Sequence, residues 1–175
     1  MKDKIGLVLN YTGNGKGKTT AALGLALRAI GHNQKVFMIQ FMKGSPEYGE
    51  IKAAKFLTGF TIVQKGTNEF VKKNAPLPID LKLAKEGLIL AEEVLKSKEY
   101  DLVILDEINV AVDYGLIDEN EVLNLIDLKP KWVTLVLTGR YAHEKILEKA
   151  DMISEVKEIA HHYQKGILAQ EGIEY

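Results

Sequence analysis

Short apolar runs alternate with longer stretches of helical period along most of this chain. Residues 5–10, 35–41 (KVFMIQF), 61–63, 101–105 (DLVIL) and 132–138 (WVTLVLT) are compact and apolar, and residues 152–156 form a shorter run. Each predicts a strand. Several lack strict alternation, as strands covered on both faces do. Between them, Leu81, Ala84, Leu88, Ala91 and Leu95 recur at spacings of three and four, with Lys82, Lys85, Glu86, Glu92, Glu93 and Lys96 on the other side. That pattern predicts an amphipathic helix with Asp80 as its N-cap. Asp118 followed by Glu121 predicts a capping box opening a helix that carries Val122, Leu123, Leu125 and Ile126. Residues 18–30 are apolar almost all round and end at Gly31, which predicts a helix heavily buried against the sheet. The alternation as a whole predicts one α/β domain over residues 1–175, a mostly parallel sheet with helices on both faces. Residues 66–78, with two prolines and no period, are the longest irregular connection, and residues 157–175 read as an ordered tail near the site.

One turn carries most of the chemistry. Tyr11-Thr12-Gly13-Asn14-Gly15-Lys16-Gly17-Lys18-Thr19-Thr20 follows a strand and opens a helix, the context of a phosphate-binding P-loop. Glycines let successive backbone N–H groups turn inward around an anion, the helix N-terminus faces it, and a lysine neutralises charge. Lys18 is placed for that contact, Thr19 for a Mg²⁺ held by the phosphates, and Lys16 adds a second positive charge suited to an extended polyphosphate. The usual first glycine of the pattern is Thr12 here, with Gly13 next. A second half-site appears where the apolar run 102–105 delivers Asp106 and Glu107 to a strand's C-terminal end, where either can hold Mg²⁺ directly or through water.

A P-loop specifies phosphate, not a reaction. Arg28 is the one charged residue in the apolar run 21–30, so a buried guanidinium is expected to find an anion, in a structural ion pair or in a ligand. Arg140, in Thr138-Gly139-Arg140, follows a core strand on the P-loop's edge of the sheet and either reaches phosphates or stays solvated. His161 and His162, adjacent in extended chain, are expected to point opposite ways rather than share a metal.

Composition narrows the classes. Lysine and arginine number 23 against 24 acidic residues, a net charge of −1 that gives no electrostatic reason to expect nucleic acid or a membrane surface as partner. With 46% apolar and 27% charged residues the chain is of ordinary globular make-up, and the absence of cysteine excludes disulfides, thiolate metal sites and cysteine nucleophiles. Met1–Lys4 lead into a run that breaks at Asn10, which is not a signal-peptide pattern, and a cytoplasmic location is expected.

Residues 11–20 (YTGNGKGKTT), 21–32 (AALGLALRAIGH), Gln40-Phe41-Met42-Lys43-Gly44, Leu105-Asp106-Glu107, 135–140 (LVLTGR), Ala142-His143 and 166–175 (GILAQEGIEY) together resemble the P-loop type of corrinoid adenosyltransferase. The similarity runs from the first strand to the last residue and is weakest at about 47–98. It implies a RecA-like P-loop NTPase fold, a homodimer, Mg²⁺ (or Mn²⁺), and ATP and a reduced corrinoid, cobalamin or a cobinamide-type precursor, as substrates. The implied reaction moves the 5′-deoxyadenosyl group of ATP to Co(I) and releases triphosphate, with the nucleotide reversed in the loop and a low-potential flavoprotein as reductant. Carried over by position, Thr12, Gly13, Asn14, Gly15, Lys16, Gly17, Lys18, Thr19 and Thr20 hold the triphosphate, and Thr19, Asp106 and Glu107 stand near the metal. Lys18, Glu107 and Arg140 are the implied catalytic residues, and Arg28 and His161 match polar positions of the family's site. The family uses an aromatic pair after the third strand to cover the lower face of cobalt. Gly66-Thr67-Asn68-Glu69-Phe70 offers one aromatic there, so Phe70 is the candidate ahead of Trp132 and Tyr48. Two other readings stay open: a P-loop kinase or ATPase using Glu107 as base, and a nucleotide- or corrinoid-binding sensor.

Overall fold

The computed structural model describes residues 5–175, so the leader-free reading of Met1–Lys4 falls outside the described residues. Six strands form one sheet: β1 (Val8–Thr12), β2 (Val36–Phe41), β3 (Phe60–Lys65), β4 (Leu102–Asp106), β5 (Thr134–Thr138) and β6 (Met152–Glu155). Their order is β3-β2-β4-β5-β1-β6 and every neighbouring pair is parallel. The helices are α1 (Lys18–Ile30), α2 (Gly49–Ala54), α3 (Pro78–Ser97), α4 (Ile108–Asp113), α5 (Glu119–Leu128) and α6 (Glu144–Glu148). This is an α/β architecture consistent with a P-loop NTPase-like fold, with β5 standing between the strand that feeds the glycine loop and the strand that ends in the acids.

Strand alternation divides the interior into two layers. Phe37, Ile39 and Phe41 of β2 and Val103 and Leu105 of β4 face Ala84, Leu88, Ala91 and Leu95 of α3 in the larger core. Val36 and Met38 of β2 and Leu102 and Ile104 of β4 face the opposite way, onto Ala22, Ala26 and Ala29 of α1. Three alanines on one stripe let α1 lie close to the sheet with little side-chain entropy lost. On the other face, Gly87 of α3 meets Phe41 edge-on: a Cβ there would come within 2.6 Å of the Phe41 ring.

Several local expectations are corrected. Helix α1 has the predicted bounds but is not buried all round: Lys18, Ala22, Ala26 and Ala29 are buried, whereas Leu27 and Arg28 point to solvent. Asp80 is not the N-cap of α3. Pro78 opens that helix, and the Asp80 carboxylate reaches back from its third position to accept the Leu77 N–H at 2.8 Å. The box at the start of α5 forms as predicted, Asp118 accepting from Asn120 N–H at 2.8 Å and Glu121 from Asp118 N–H at 3.3 Å. The first strand is displaced toward the loop, running Val8–Thr12 rather than ending at Asn10. Pairing with β6 carries it to Thr12, and the buried Asn10 amide is satisfied by Asn109, whose Nδ2 donates to Asn10 Oδ1 at 2.9 Å.

Candidate active site at the C-terminal edge of the sheet

Parallel strands deliver their C-terminal ends to one edge, and the polar groups gather there. β1 runs into the glycine loop, where Gly13 (φ 97°) and Gly17 (φ 118°) adopt the left-handed conformation that other residues enter at a cost of about 1–2 kcal/mol. A Cβ on Gly13 would lie 2.5 Å from the Val156 carbonyl oxygen, so the loop is pressed against the chain leaving β6. Gly15 N–H donates to that same carbonyl at 2.7 Å and is therefore spent on holding the loop. Lys18 folds back to donate to the Gly15 carbonyl at 2.6 Å. Burial pulls its ammonium below the ordinary lysine value; Glu107 and Asp106 oppose that, while Arg140 and Lys43 add to it.

Asp106, fully buried at the end of β4, is the hub. Its Oδ1 accepts from Thr19 Oγ1 at 2.8 Å and from Thr138 Oγ1 at 2.7 Å. Its Oδ2 accepts from Lys43 Nζ at 2.8 Å and from Gln40 Nε2 at 3.3 Å. Burial alone would lower Lys43, but the Asp106 carboxylate more than reverses this, with Glu107 and Glu50 helping, and its pKa is raised. Glu107, one residue on, is in the left-handed region (φ 61°) and its N–H donates to Thr138 Oγ1 at 3.0 Å. Burial pushes the Glu107 carboxyl upward and repulsion from Asp106 adds to it, against the pull of Lys43, Lys18 and Arg140. Met42 after β2 (φ 59°) and Tyr141 after β5 (φ 59°) share that left-handed backbone, so three non-glycine residues at this edge carry it.

A cavity of about 560 Å³ opens in front of this edge. Lys16, Lys18, Thr19, Thr20, Lys43 and Glu107 line its polar end, next to the N-terminus of α1. Leu23 and Leu27 of α1, with Ala53, Leu57 and Phe60, form an apolar wall. The chain end closes one side through residues 172–175. There Lys16 Nζ donates to the Ile173 carbonyl and to Glu174 Oε1, the latter at 3.0 Å.

The comparisons with known proteins agree with this geometry. Residues 4–175 match the family model described as ATP:corrinoid adenosyltransferase BtuR/CobO/CobP. The chain is 35% identical over 182 residues to the corrinoid adenosyltransferase of Escherichia coli (strain K12), covering 99% of this chain and 88% of that protein. Over 183 residues it is 34% identical to corrinoid adenosyltransferase CobA of Salmonella typhimurium, with 99% and 88% covered. The corrinoid adenosyltransferase of Pseudomonas aeruginosa is 32% identical over 177 residues, with 99% and 86% covered. The chain belongs to the corrinoid adenosyltransferase family. The kinase reading finds no support among these relatives.

In this corrinoid adenosyltransferase the structure brings together Lys16, Gly17, Lys18, Thr19, Thr20 and Glu107 around the cavity, with Asp106 directly behind Thr19. Thr12, Gly13, Asn14 and Gly15 form the loop's entry, and Thr12 Oγ1 accepts from Ala142 N–H at 3.4 Å. Arg140 is exposed after β5, its charge felt by both Lys18 and Glu107. Arg28 is exposed, not buried, because it falls on the solvent side of α1 opposite the alanine stripe. Phe70 is 99% exposed on the loop after β3 and does not line the cavity. Trp132 precedes β5 at the opposite edge of the sheet, whereas Tyr48 does line the cavity, with Lys43 Nζ 5.8 Å from its ring centre. His161 lies on the tail outside the cavity, and the two histidines do not diverge: their rings are 4.5 Å apart, because a short 3₁₀ turn at His162–Lys165 replaces extended chain. Sequence reading assigned no role to Gln40, Lys43, Thr138 or Glu174. The first three do carry a signal, a polar residue within or just beyond an apolar strand, which marks a buried hydrogen-bonding duty.

Among the described residues no helix is long and apolar enough to cross a membrane.

Proposed function

We propose that this protein transfers the 5′-deoxyadenosyl group of ATP to the Co(I) centre of a reduced corrinoid, cobalamin or a cobinamide-type precursor, and releases triphosphate. The observation that carries this reading is the single cavity that joins a lysine-rich glycine loop to an apolar wall. The first suits a polyphosphate, and the second an apolar partner brought beside it. In the reaction the cobalt electron pair forms the Co–C bond to the 5′-carbon, the bond from that carbon to the α-phosphate oxygen breaks, and triphosphate leaves with the electron pair of the broken C–O bond. Co(I) needs no general base. The protein's work is to align cobalt with the 5′-carbon and to stabilise the departing charge. Lys16, Lys18, Thr20 and the N-terminus of α1 meet the triphosphate, with the sugar rather than the terminal phosphorus turned toward the incoming metal. By analogy with oxyanion sites, each well-placed donor contributes about 3 kcal/mol.

Thr19, Asp106 and Glu107 offer hard oxygen donors of the kind Mg²⁺ or Mn²⁺ takes, and the Thr19–Asp106 hydrogen bond of 2.8 Å already aligns two of them. A bound Mg²⁺ supplies positive charge to the phosphates. Arg140 adds a cation from the turn after β5, and Arg28 and His161 serve at the periphery as positions matched to the family's site. Phe70, on its exposed loop, covers the lower face of cobalt when corrinoid arrives; apolar contact there favours the four-coordinate metal that is easier to reduce. A homodimer, a low-potential flavoprotein reductant and a cytoplasmic location complete the reading on the strength of the family resemblance.

The test is to mix the protein with ATP, Mg²⁺ and chemically reduced cobalamin under anoxia. The expected outcome is a light-sensitive adenosylcobalamin spectrum with triphosphate released in step. Orthophosphate released at the matching rate would overturn the proposal in favour of terminal phosphoryl transfer, and tight binding without turnover would favour a sensor.

A further inference from the structure

Gln40 is a polar side chain with no access to solvent in a strand whose every residue is buried. A buried amide survives in such a place only if its donors and acceptor are used. The strand register puts it in a row: Gln64 of β3 and Asp106 of β4 are its partners on either side. Gln40 Oε1 accepts from Gln64 Nε2 at 3.1 Å. Its Nε2 donates to Asp106 Oδ2 at 3.3 Å and to Glu50 Oε1 of α2 at 2.9 Å. Ionised carboxylates only accept, so this orientation of the amide is fixed by its neighbours.

Helix α2 makes the Glu50 bond consequential. None of its residues is buried, so packing holds it weakly. Yet Gly49, Glu50 and Ala53, with Tyr48 just before them, line the cavity opposite the glycine loop. The Gln40–Glu50 bond is a direct hydrogen-bonded link from this wall into the buried row that ends at Asp106, beside the looser Lys43–Tyr48 contact.

We propose that Gln40 is a positioning residue that couples the polyphosphate end of the cavity to the α2 wall, so that nucleotide and metal arriving at Asp106 set the surface offered to the corrinoid. The proposal rests on the adenosyltransferase reading for the identity of the second substrate, but its central test does not. When Asp106 and Thr19 take up new partners, Lys43 and Gln40 readjust, and Gln40 passes the change to Glu50. Without that bond α2 keeps only the looser contact of Lys43 with the Tyr48 ring, 5.8 Å from its centre, as a tie to Asp106.

Hydrogen–deuterium exchange on the full chain, with and without ATP and Mg²⁺, reads the coupling directly. In the wild-type protein exchange slows at the glycine loop and, by about tenfold, at residues 48–57, the effect of one charge-assisted hydrogen bond. In Gln40→Met and in Glu50→Ala the slowing at the loop persists, while that at residues 48–57 falls below about twofold. Glu50→Gln keeps an acceptor oxygen and restores it. Slowing at residues 48–57 that survives both disabling variants, or its absence in a wild-type protein whose loop does respond, overturns the proposal. No response at either segment removes the nucleotide reading and this inference with it. In the adenosylation assay Glu50→Ala raises the corrinoid KM about tenfold and leaves the ATP KM within about twofold. An equal rise in both overturns the coupling. If the wild-type protein makes no adenosylcobalamin, the function reading fails while the exchange result still decides this one.

Discussion

Removing the Lys43 ammonium tests the reading of Asp106 as a hub. Lys43→Met keeps the apolar stem and deletes the one cation bonded to a carboxylate with no solvent exposure, at 2.8 Å. Breaking a buried pair from one side costs about 3–5 kcal/mol, because the surviving charge is left uncompensated. Thr19, Thr138 and Gln40 still donate to Asp106, which holds the loss near the lower bound, about 3 kcal/mol. For a chain of this size each kcal/mol moves the midpoint by about 2–4 °C, so thermal unfolding followed by circular dichroism at pH 7 without nucleotide should fall by about 6–12 °C. The double variant Lys43→Met/Asp106→Asn no longer strands a charge and should recover most of that loss. A Lys43→Met midpoint within about 2 °C of wild type, or a double variant whose losses simply add, would refute the reasoning. The sign in pH follows from the raised Lys43 pKa. On the lysine side the pair's stabilisation is fully present below the ordinary value of 10.5 and is lost as pH climbs through the higher folded value, so the wild-type advantage over Lys43→Met should shrink as alkaline pH passes 10.5.

Further outcomes are expected. Glu107, its pKa raised by burial and by Asp106, destabilises the unliganded fold once ionised; Glu107→Gln should therefore raise the unfolding midpoint at pH 7, with the gain fading as pH falls toward the ordinary value of 4.5. A denaturation series across that range checks both sign and window. Gly13→Ala must place a Cβ 2.5 Å from the Val156 carbonyl at φ 97°, so urea unfolding should show a loss of about 2 kcal/mol or more and nucleotide affinity should drop with it. Phe70→Ala, at a residue 99% exposed, should leave stability within about 0.5 kcal/mol of wild type yet slow adenosylcobalamin formation; unchanged turnover would remove Phe70 from the proposed corrinoid face.

Much of this protein was legible before folding was considered. A first strand, though read at residues 5–10 rather than Val8–Thr12, then the loop holding Gly13 and Gly17, then α1, is specified by neighbours in sequence: left-handed turns need glycine, and a helix N-terminus follows. The α5 capping box was readable because its hydrogen bonds are set within a few residues, and the parallel character of the sheet because strands and helices alternate along the whole chain. Arg28 was misjudged because an apolar run does not state which side of a helix meets the sheet; the alanine stripe decided it. The two histidines were misjudged because a 3₁₀ turn changes side-chain direction without altering composition.

What the chain alone determined is the glycine loop between strand and helix and the strand that carries two acids to an edge. What only the tertiary structure decided is the company those acids keep. The order β3-β2-β4-β5-β1-β6 sets Thr138 between loop and acids and brings Gln40 of β2 and Lys43, just beyond that strand, onto Asp106. Thr138, Lys43 and Gln40 lie 32, 63 and 66 positions from Asp106, so no local pattern links them. A fully buried carboxylate must find donors, and strand order determines which ones lie within reach.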